Sequence, residues 1–149
     1  GTALGLPALK VPDEYPLIRL VNAVLPEKRL AAPVEVSQWL VTQERHAYPL
    51  LVKEMPFDSF SRRFGPAEVE RRARLMAHLG GERPARLPPK ALSAAIFRYG
   101  LEGAVVYSAL PWADEIRAVL GEARFGREGS GYGYEFWARQ TPSTDFPAR

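Results

Sequence analysis

The side chains in this sequence that could do chemistry are mainly guanidinium groups and aromatic rings. Sixteen of the 20 basic residues are Arg, there is no Cys, and His46 and His78 are the only histidines. A guanidinium group is planar and permanently charged, and it binds carboxylates or phosphates through two parallel hydrogen bonds. The composition therefore excludes thiol chemistry and favours attachment to another molecule.

The Arg residues are concentrated between positions 62 and 86. Arg62 and Arg63 precede a predicted helix, on which Arg71, Arg74 and His78 share one face. Such a row of guanidinium groups could bind nucleic-acid phosphates or an acidic protein. The alternative is a solvated helix face, because acidic residues precede basic residues by four positions, the order that favours intrahelical ion pairs. These pairs are Glu68 with Arg72 and Glu70 with Arg74.

A Gly-rich segment near the end of the chain leads into a run of aromatic residues. The segments EARF and YGYEFWARQ flank GREGSG, which predicts a β-hairpin with GREGSG as its connection. Alternation places Tyr132, Tyr134 and Phe136 on one strand face and Trp137 on the other. Beside Arg127, exposed rings could stack on unpaired bases. The alternative is that these rings belong to the core.

Three Phe residues recur at three- and four-residue spacing in the segment MPFDSFSRRFGP, at positions 57, 60 and 64. On a helix they would form an aromatic stripe beside Arg62 and Arg63, a combination typical of protein interfaces. The alternative is that the rings close the core beneath the following helix.

His46 is the main candidate for acid–base chemistry. It lies beside Glu44 in the sequence QERHAYP, and a His near a carboxylate can act as a general base or a pH switch. However, no recognised catalytic motif accompanies it. The histidines could bind a metal only together with carboxylates such as Glu54, Asp58 or Asp114, and no ligand spacing indicates such a site. We therefore expect no catalytic residue, no metal and no cofactor.

The elements that must position these groups mix helices and strands without strict alternation. This pattern predicts a single α+β domain over residues 13–140, with an N-terminal arm over 1–12 and a polar tail over 141–149. We expect a small, mostly antiparallel sheet of about four to five strands packed with about four helices, including a C-terminal hairpin.

Particular segments carry these expectations. Helices are predicted from Asp13 to about Leu25, from Pro66 to Leu79, from Lys90 to about Tyr99, and from Pro111 onward. Strands are predicted from Gly103 and in a hairpin over 34–55. For this last segment, a helix from Pro33 to Arg45 is the alternative, because its apolar residues also fit helical spacing.

The overall composition is that of a small globular domain. The chain has 149 residues, 46% hydrophobic and 25% charged, with a formal net charge of +3. This excess of positive charge is smaller than a polybasic membrane-binding patch would give. No apolar run approaches the roughly 18 residues that span a bilayer, and no signal peptide is visible. We expect a cytoplasmic protein without membrane contact. One Asn and 14 Pro suit a heat-adapted protein, with GC-rich coding as the alternative.

These observations favour a non-catalytic binding, regulatory or assembly module that acts on a protein partner or on a second copy of itself. The first alternative is a DNA- or RNA-binding domain in which Arg binds phosphates and aromatic rings stack on bases. The second is a small enzyme of unknown class. The candidate binding residues are Arg62, Arg63, Arg71, Arg74, Arg127, Tyr132, Tyr134 and Trp137.

Overall fold

The computed structural model describes residues 19–21, 29–42, 48–49 and 65–140. In chain order its elements are β1 (Arg29–Ala31), α1 (Val34–Thr42), β2 (Tyr48–Pro49), α2 (Pro66–Leu79), α3 (Pro89–Tyr99), β3 (Gly103–Tyr107), α4 (Ala113–Glu122), β4 (Phe125–Gly131) and β5 (Tyr134–Arg139). Residues 19–21 are also helical. The predicted arm over 1–12 and the tail over 141–149 lie outside the described residues.

The strands of the described residues form one sheet in the order β2-β1-β3-β5-β4. β1 is parallel to both β2 and β3, whereas β5 is antiparallel to both β3 and β4. The predicted α+β fold with a C-terminal hairpin is therefore confirmed. The expectation of a mostly antiparallel sheet is wrong, because α1 carries the chain from β1 back to a parallel neighbour.

The first strand of the hairpin predicted over 34–55 is also wrong, because residues 34–42 form the helix that was the alternative. Tyr48–Pro49, at the start of the second predicted strand, do form a strand, and residues 43–47 and 50–55 lie outside the described residues. The Ser37 N–H donates to the Pro33 carbonyl at 2.9 Å at the start of α1. Val36 and Leu40, one turn apart, are buried against Val105 and Phe136 of the sheet. The strand preference of the β-branched residues in this segment is weak compared with the burial of this apolar face.

Helices cover both faces of the sheet. Successive residues of β3 point to opposite faces, and they are buried on both. Val105 belongs to the buried cluster beneath α1. Its neighbours Ala104 and Val106 belong to a larger cluster that includes residues of α2, α3 and α4. The described chain thus places α1 on one face and the other three helices on the opposite face.

The C-terminal hairpin turns later than predicted. GREGSG lies within β4, and the turn is formed by Tyr132 and Gly133. Both have positive φ, +51° and +85°, as a type I′ turn requires. The predicted faces of β5 are confirmed, with Tyr134 and Phe136 in the α1 cluster and Trp137 against the opposite one. Tyr132 is exposed in the turn and belongs to neither strand face.

Candidate functional site

The structure places the predicted binding residues on two different elements. Arg71 and Arg74 are exposed on α2, whereas the other described members belong to the β4–β5 hairpin, namely Arg127, Tyr132, Tyr134 and Trp137. The remaining candidates lie outside the described residues, and these are Arg62, Arg63, His46 and the Phe residues at 57, 60 and 64.

A groove of about 750 Å³ lies between α2 and α3, and Arg71 and Arg74 line it. Its lining is mostly apolar, since short Ala side chains on both helices leave space above the buried Leu75 and Tyr99. The lining residues are Pro66, Ala67, Glu70, Arg71, Arg74, Leu75, Leu87, Ala91, Ala94, Ala95, Arg98 and Tyr99. We call this the α2–α3 groove.

Contacts around Glu68 join the two helices beside the α2–α3 groove. The Tyr99 hydroxyl donates to Glu68 Oε2 at 2.6 Å, and Arg72 Nε donates to the same oxygen at 2.8 Å. The Arg72 guanidinium also lies over the Tyr99 ring, 5.1 Å from its centroid. Although burial raises the pKa of Glu68, hydrogen bonds from Tyr99, Arg72 and Arg71 lower it below its ordinary 4.5. The start of α2 is thereby fastened to the end of α3.

The ion pairs that Arg71 and Arg74 form along the groove are exposed to solvent. Arg74 Nε lies 3.4 Å from Glu70 Oε2, and Arg71 pairs with Glu68. Exposed pairs of this kind contribute only about 0.2–1 kcal/mol, so the two guanidinium groups are held only weakly by their helical partners. Among the described residues, no carboxylate lies within salt-bridge distance of Arg98. Sequence reasoning missed Arg98, because nothing in the sequence showed that α3 would lie beside α2.

On the hairpin, Arg127 and Trp137 both face the buried carboxylate of Glu135, which is 2% exposed. Arg117 of α4 donates to Glu135 Oε2 through Nη2 at 2.6 Å, and Trp137 Nε1 donates to Oε1 at 2.9 Å. Arg127 Nη1 lies 3.9 Å from Oε2. The hydrogen bond from Arg117 is the main cause that lowers the pKa of Glu135 to about 2. A carboxylate held in this way cannot act as a general acid near neutral pH.

A second cavity, of about 820 Å³, lies at the carboxyl ends of β1 and β3. The Tyr134 hydroxyl donates to Glu35 Oε2 at 2.7 Å, and the rings of Tyr107 and Tyr134 lie 5.4 Å apart. The lining residues are Val34, Glu35, Gln38, Ala73, Ala77, Gly80, Gly81, Glu82, Arg83, Tyr107 and Tyr134. We call this the strand-end crevice.

Only Tyr134 of the strand-end crevice was predicted as a binding residue. Glu35 and Tyr107 were missed, because a parallel β1–β3 pair is needed to bring them together. The signal that could have found them is a short strand followed by a helix, since ligands of such units bind beyond the carboxyl ends of parallel strands.

His78 does not join the exposed Arg residues of α2, because it is buried, with 1% exposure. Its Nδ1 accepts the Leu87 N–H at 2.9 Å, and its ring stacks on Trp112 at 6.0 Å. Trp112 Nε1 in turn donates to the His78 carbonyl at 2.8 Å. Burial lowers the pKa of His78 below its ordinary 6.5. The neutral ring therefore fastens the loop between α2 and α3.

Comparison with known proteins adds no family to this description. No family model matches the chain, and no curated protein or solved structure matches it significantly. Within the described part of the chain, no three His, Asp or Glu residues gather as metal ligands. No helix found there is long and apolar enough to cross a bilayer.

Proposed function

We propose that this protein is a non-catalytic binding module that holds an amphipathic, acidic segment of a partner protein in its α2–α3 groove. The observation that carries the proposal is the apolar lining of this groove, edged by Arg71, Arg74 and Arg98. Aromatic or aliphatic anchors in an apolar pocket with Arg at the rim are typical of protein interfaces.

The shape of the groove favours a helical occupant. Two neighbouring helices with short side chains between them leave a trough that can receive large aliphatic side chains at i, i+3 or i+4, and i+7 of a docked helix. Ala67 and Ala91 lie on opposite sides of this trough. The partner's Leu or Phe side chains would contact these alanines and Leu75, which excludes water from the interface.

The charges at the groove favour an acidic occupant. Three Arg residues and one Glu residue line it, so the lining carries a positive excess that complements Asp and Glu beside the partner's apolar face. Arg98 would gain a carboxylate partner on binding, and Arg71 and Arg74 could exchange their helical partners for the ligand's carboxylates.

The same features favour a protein partner over nucleic acid. A phosphate backbone presents no apolar side chains to the apolar lining of the groove. Two of the three rings proposed for base stacking are also engaged within the fold, since Tyr134 is 8% exposed and Trp137 donates to Glu135, whereas Tyr132 is exposed in the hairpin turn. The binding experiment that follows therefore includes nucleic acid as the competing ligand class.

Fluorescence anisotropy tests the proposal with a fluorescein-labelled amphipathic helical peptide of Leu, Ala and Glu. The matched peptide has Lys in place of Glu, and labelled single-stranded and duplex oligonucleotides complete the set. We expect the acidic peptide to bind with a shallow dependence on salt, and the basic peptide and the oligonucleotides to bind far more weakly. Oligonucleotide binding that falls steeply with salt would instead indicate phosphate recognition.

Matched variants locate the binding site. Ala94→Trp fills the groove, with Ala118→Trp on the exposed side of α4 as its control. Arg98→Glu reverses a charge in the groove, with the exposed Lys90→Glu on the same helix as its control. We expect the two groove variants to weaken peptide binding by at least about tenfold, and the controls to retain it. The proposal is refuted if the wild-type protein does not bind the acidic peptide, or if groove and control variants behave alike.

A further inference from the structure

The strand-end crevice lies where the chain changes direction across the sheet. From the carboxyl end of β1 the chain continues into α1 on one face, whereas from the carboxyl end of β3, the neighbour of β1, it continues to α4 on the other face. In sheets with parallel strands, such a switch point opens a gap between the two connections that commonly holds a ligand. The crevice is formed by other residues than the α2–α3 groove, so what it binds is independent of the proposed function.

The Glu35 carboxylate is fixed on one wall of the crevice. Its Oε2 accepts the Tyr134 hydroxyl at 2.7 Å. Its Oε1 lies beside Gly81, where an added Cβ would be 3.5 Å away from that oxygen. Among the described residues, no Arg or Lys lies within salt-bridge distance of Glu35. The crevice therefore presents an oriented carboxylate that no described cation neutralises.

An aromatic ring forms another wall. Tyr107 is 38% exposed and is tilted by 58° against the Tyr134 ring. Two glycine backbones lie close to this residue, since a Cβ on Gly80 would lie 2.8 Å from Tyr107 Cβ and one on Gly133 would lie 3.1 Å from Tyr107 Cε1. The ring thus packs against Gly133 and the Tyr134 ring and leaves part of its surface exposed beside the crevice.

We propose that the strand-end crevice binds a guanidinium group between the Glu35 carboxylate and the Tyr107 ring. A guanidinium offers N–H donors to a carboxylate and a planar cationic face to an aromatic ring, so it can use both walls at once. Arg83 also lines the crevice, but it is exposed and follows the acidic Glu82. In formal charge Arg83 and Glu82 offset each other, so the lining keeps one net negative charge, that of Glu35. The guanidinium can belong to a free small molecule or to an Arg side chain of a peptide.

Chemical-shift titration of the ¹⁵N-labelled protein tests this proposal. The probes are agmatine, N-acetylarginine amide, and N-acetylcitrulline amide as the neutral isostere of the second. We expect the guanidinium probes to shift the amide signals of Glu35, Gly81 and Tyr107 saturably, and the citrulline probe to leave them unchanged. Agmatine binding at least as tightly as the capped Arg supports a free small guanidine as ligand, whereas tighter binding of the capped Arg supports a peptide side chain.

Glu35→Gln tests the charge, because Gln keeps an acceptor for the Tyr134 hydroxyl. We expect guanidinium binding to weaken at least about tenfold in Glu35→Gln, and to stay unchanged in Glu122→Gln, an exposed position on α4. Tyr107→Leu should weaken it as well, with a thermal melt to show that the variant is folded. No saturable binding, equal binding of the citrulline probe, or wild-type affinity in Glu35→Gln would overturn the proposal. Acidic-peptide binding in the α2–α3 groove should persist in Glu35→Gln, so failure of one proposal is distinguishable from failure of the other.

Discussion

The interaction between Glu135 and Arg117 is the strongest single electrostatic contribution that the structure shows, and replacing Glu135 by Gln tests it. The Glu135 carboxylate is almost completely buried and accepts hydrogen bonds from Arg117 and Trp137. Arg117 also pairs with Asp114 at 2.5 Å, and the hydrogen bond to Glu135 is the main cause that raises the Arg117 pKa. Glu135→Gln keeps the shape of the side chain and removes its charge.

The magnitude follows from the Glu135 pKa. A folded-state pKa of about 2, compared with the ordinary 4.5, corresponds to about 3 kcal/mol of folding stability at neutral pH. Arg117 is partly exposed and keeps Asp114 as a partner, which reduces the penalty for leaving it without Glu135. We therefore expect Glu135→Gln to lower the free energy of unfolding by about 2–3 kcal/mol, or the melting temperature by roughly 4–12 °C.

The pH dependence separates this charge effect from a loss of packing. As the pH falls below about 4.5, the unfolded chain takes up a proton on residue 135 before the folded protein does, so the stabilisation is progressively lost toward pH 2. In urea unfolding followed by Trp fluorescence, the difference between wild type and Glu135→Gln should shrink by about 2 kcal/mol between neutral pH and about pH 3. Glu122→Gln, in contrast, should differ little from wild type at either pH. A difference below about 1 kcal/mol at neutral pH, or one that does not change with pH, would refute this reasoning.

Three further predictions concern the buried imidazole, the hairpin turn and the end of α2. Burial lowers the pKa of His78, so the free energy of unfolding should fall as the pH drops from about 7.5 to about 5.5. Denaturant titration should show a smaller fall in His78→Gln. An equal dependence of the unfolding free energy on pH in the variant and the wild type would contradict this. Tyr132→Asn should raise the melting temperature through about 0.5–1 kcal/mol of stabilisation, because Asn tolerates the φ of +51° better than Tyr, and a lower melting temperature would contradict it. Gly80→Ala should destabilise the protein by about 1–3 kcal/mol, because its Cβ would lie 2.8 Å from Tyr107 Cβ. Gly121→Ala, with open space around it, should be stabilising or neutral in the same urea titration, and equal effects of the two Gly variants would refute the steric argument.

The sequence predicted the helices with strong boundary residues most accurately. α2 begins at Pro66 and ends before Gly80, and α3 begins one residue before its predicted start. Pro at a first helical position and Gly after the last turn fix the backbone locally, so no knowledge of the partner elements is needed. The same holds for Gly100, whose φ of +59° ends α3 in the left-handed conformation.

The errors occurred where distant contacts decide the local structure. The three residues of β1 carry no periodicity, and they form a strand because β3 and β2 pair with them. α1 was predicted as a strand from its Val and Thr content, whereas the sheet selects the helix by burying Val36 and Leu40. In β4, Gly129 resembles a loop residue, but its missing side chain makes room for Leu20, since a Cβ there would lie 2.5 Å from Leu20 Cδ2.

For the candidate sites, the sequence showed which chemical groups are abundant but not which of them come together. Arg71 and Arg74 were predicted as neighbours because they belong to one helix. Arg98 completes the α2–α3 groove from another helix, and Glu35 meets Tyr134 across 99 positions of sequence. Sites built from several elements require the sheet order, and local sequence patterns do not reveal that order.

The described groups with shifted pKa values take part in contacts within the fold. Active sites commonly concentrate perturbed titratable groups in a cleft, whereas the perturbed groups found in the described residues are committed to contacts within the fold. Glu135 is neutralised by Arg117, Glu68 is bonded to Tyr99 and Arg72, and His78 uses its nitrogen to hold Leu87. A group that must gain or lose a proton in a reaction would have to break these bonds first. The groove and the crevice are lined by guanidinium groups and aromatic rings, which suit the ligand binding proposed for both.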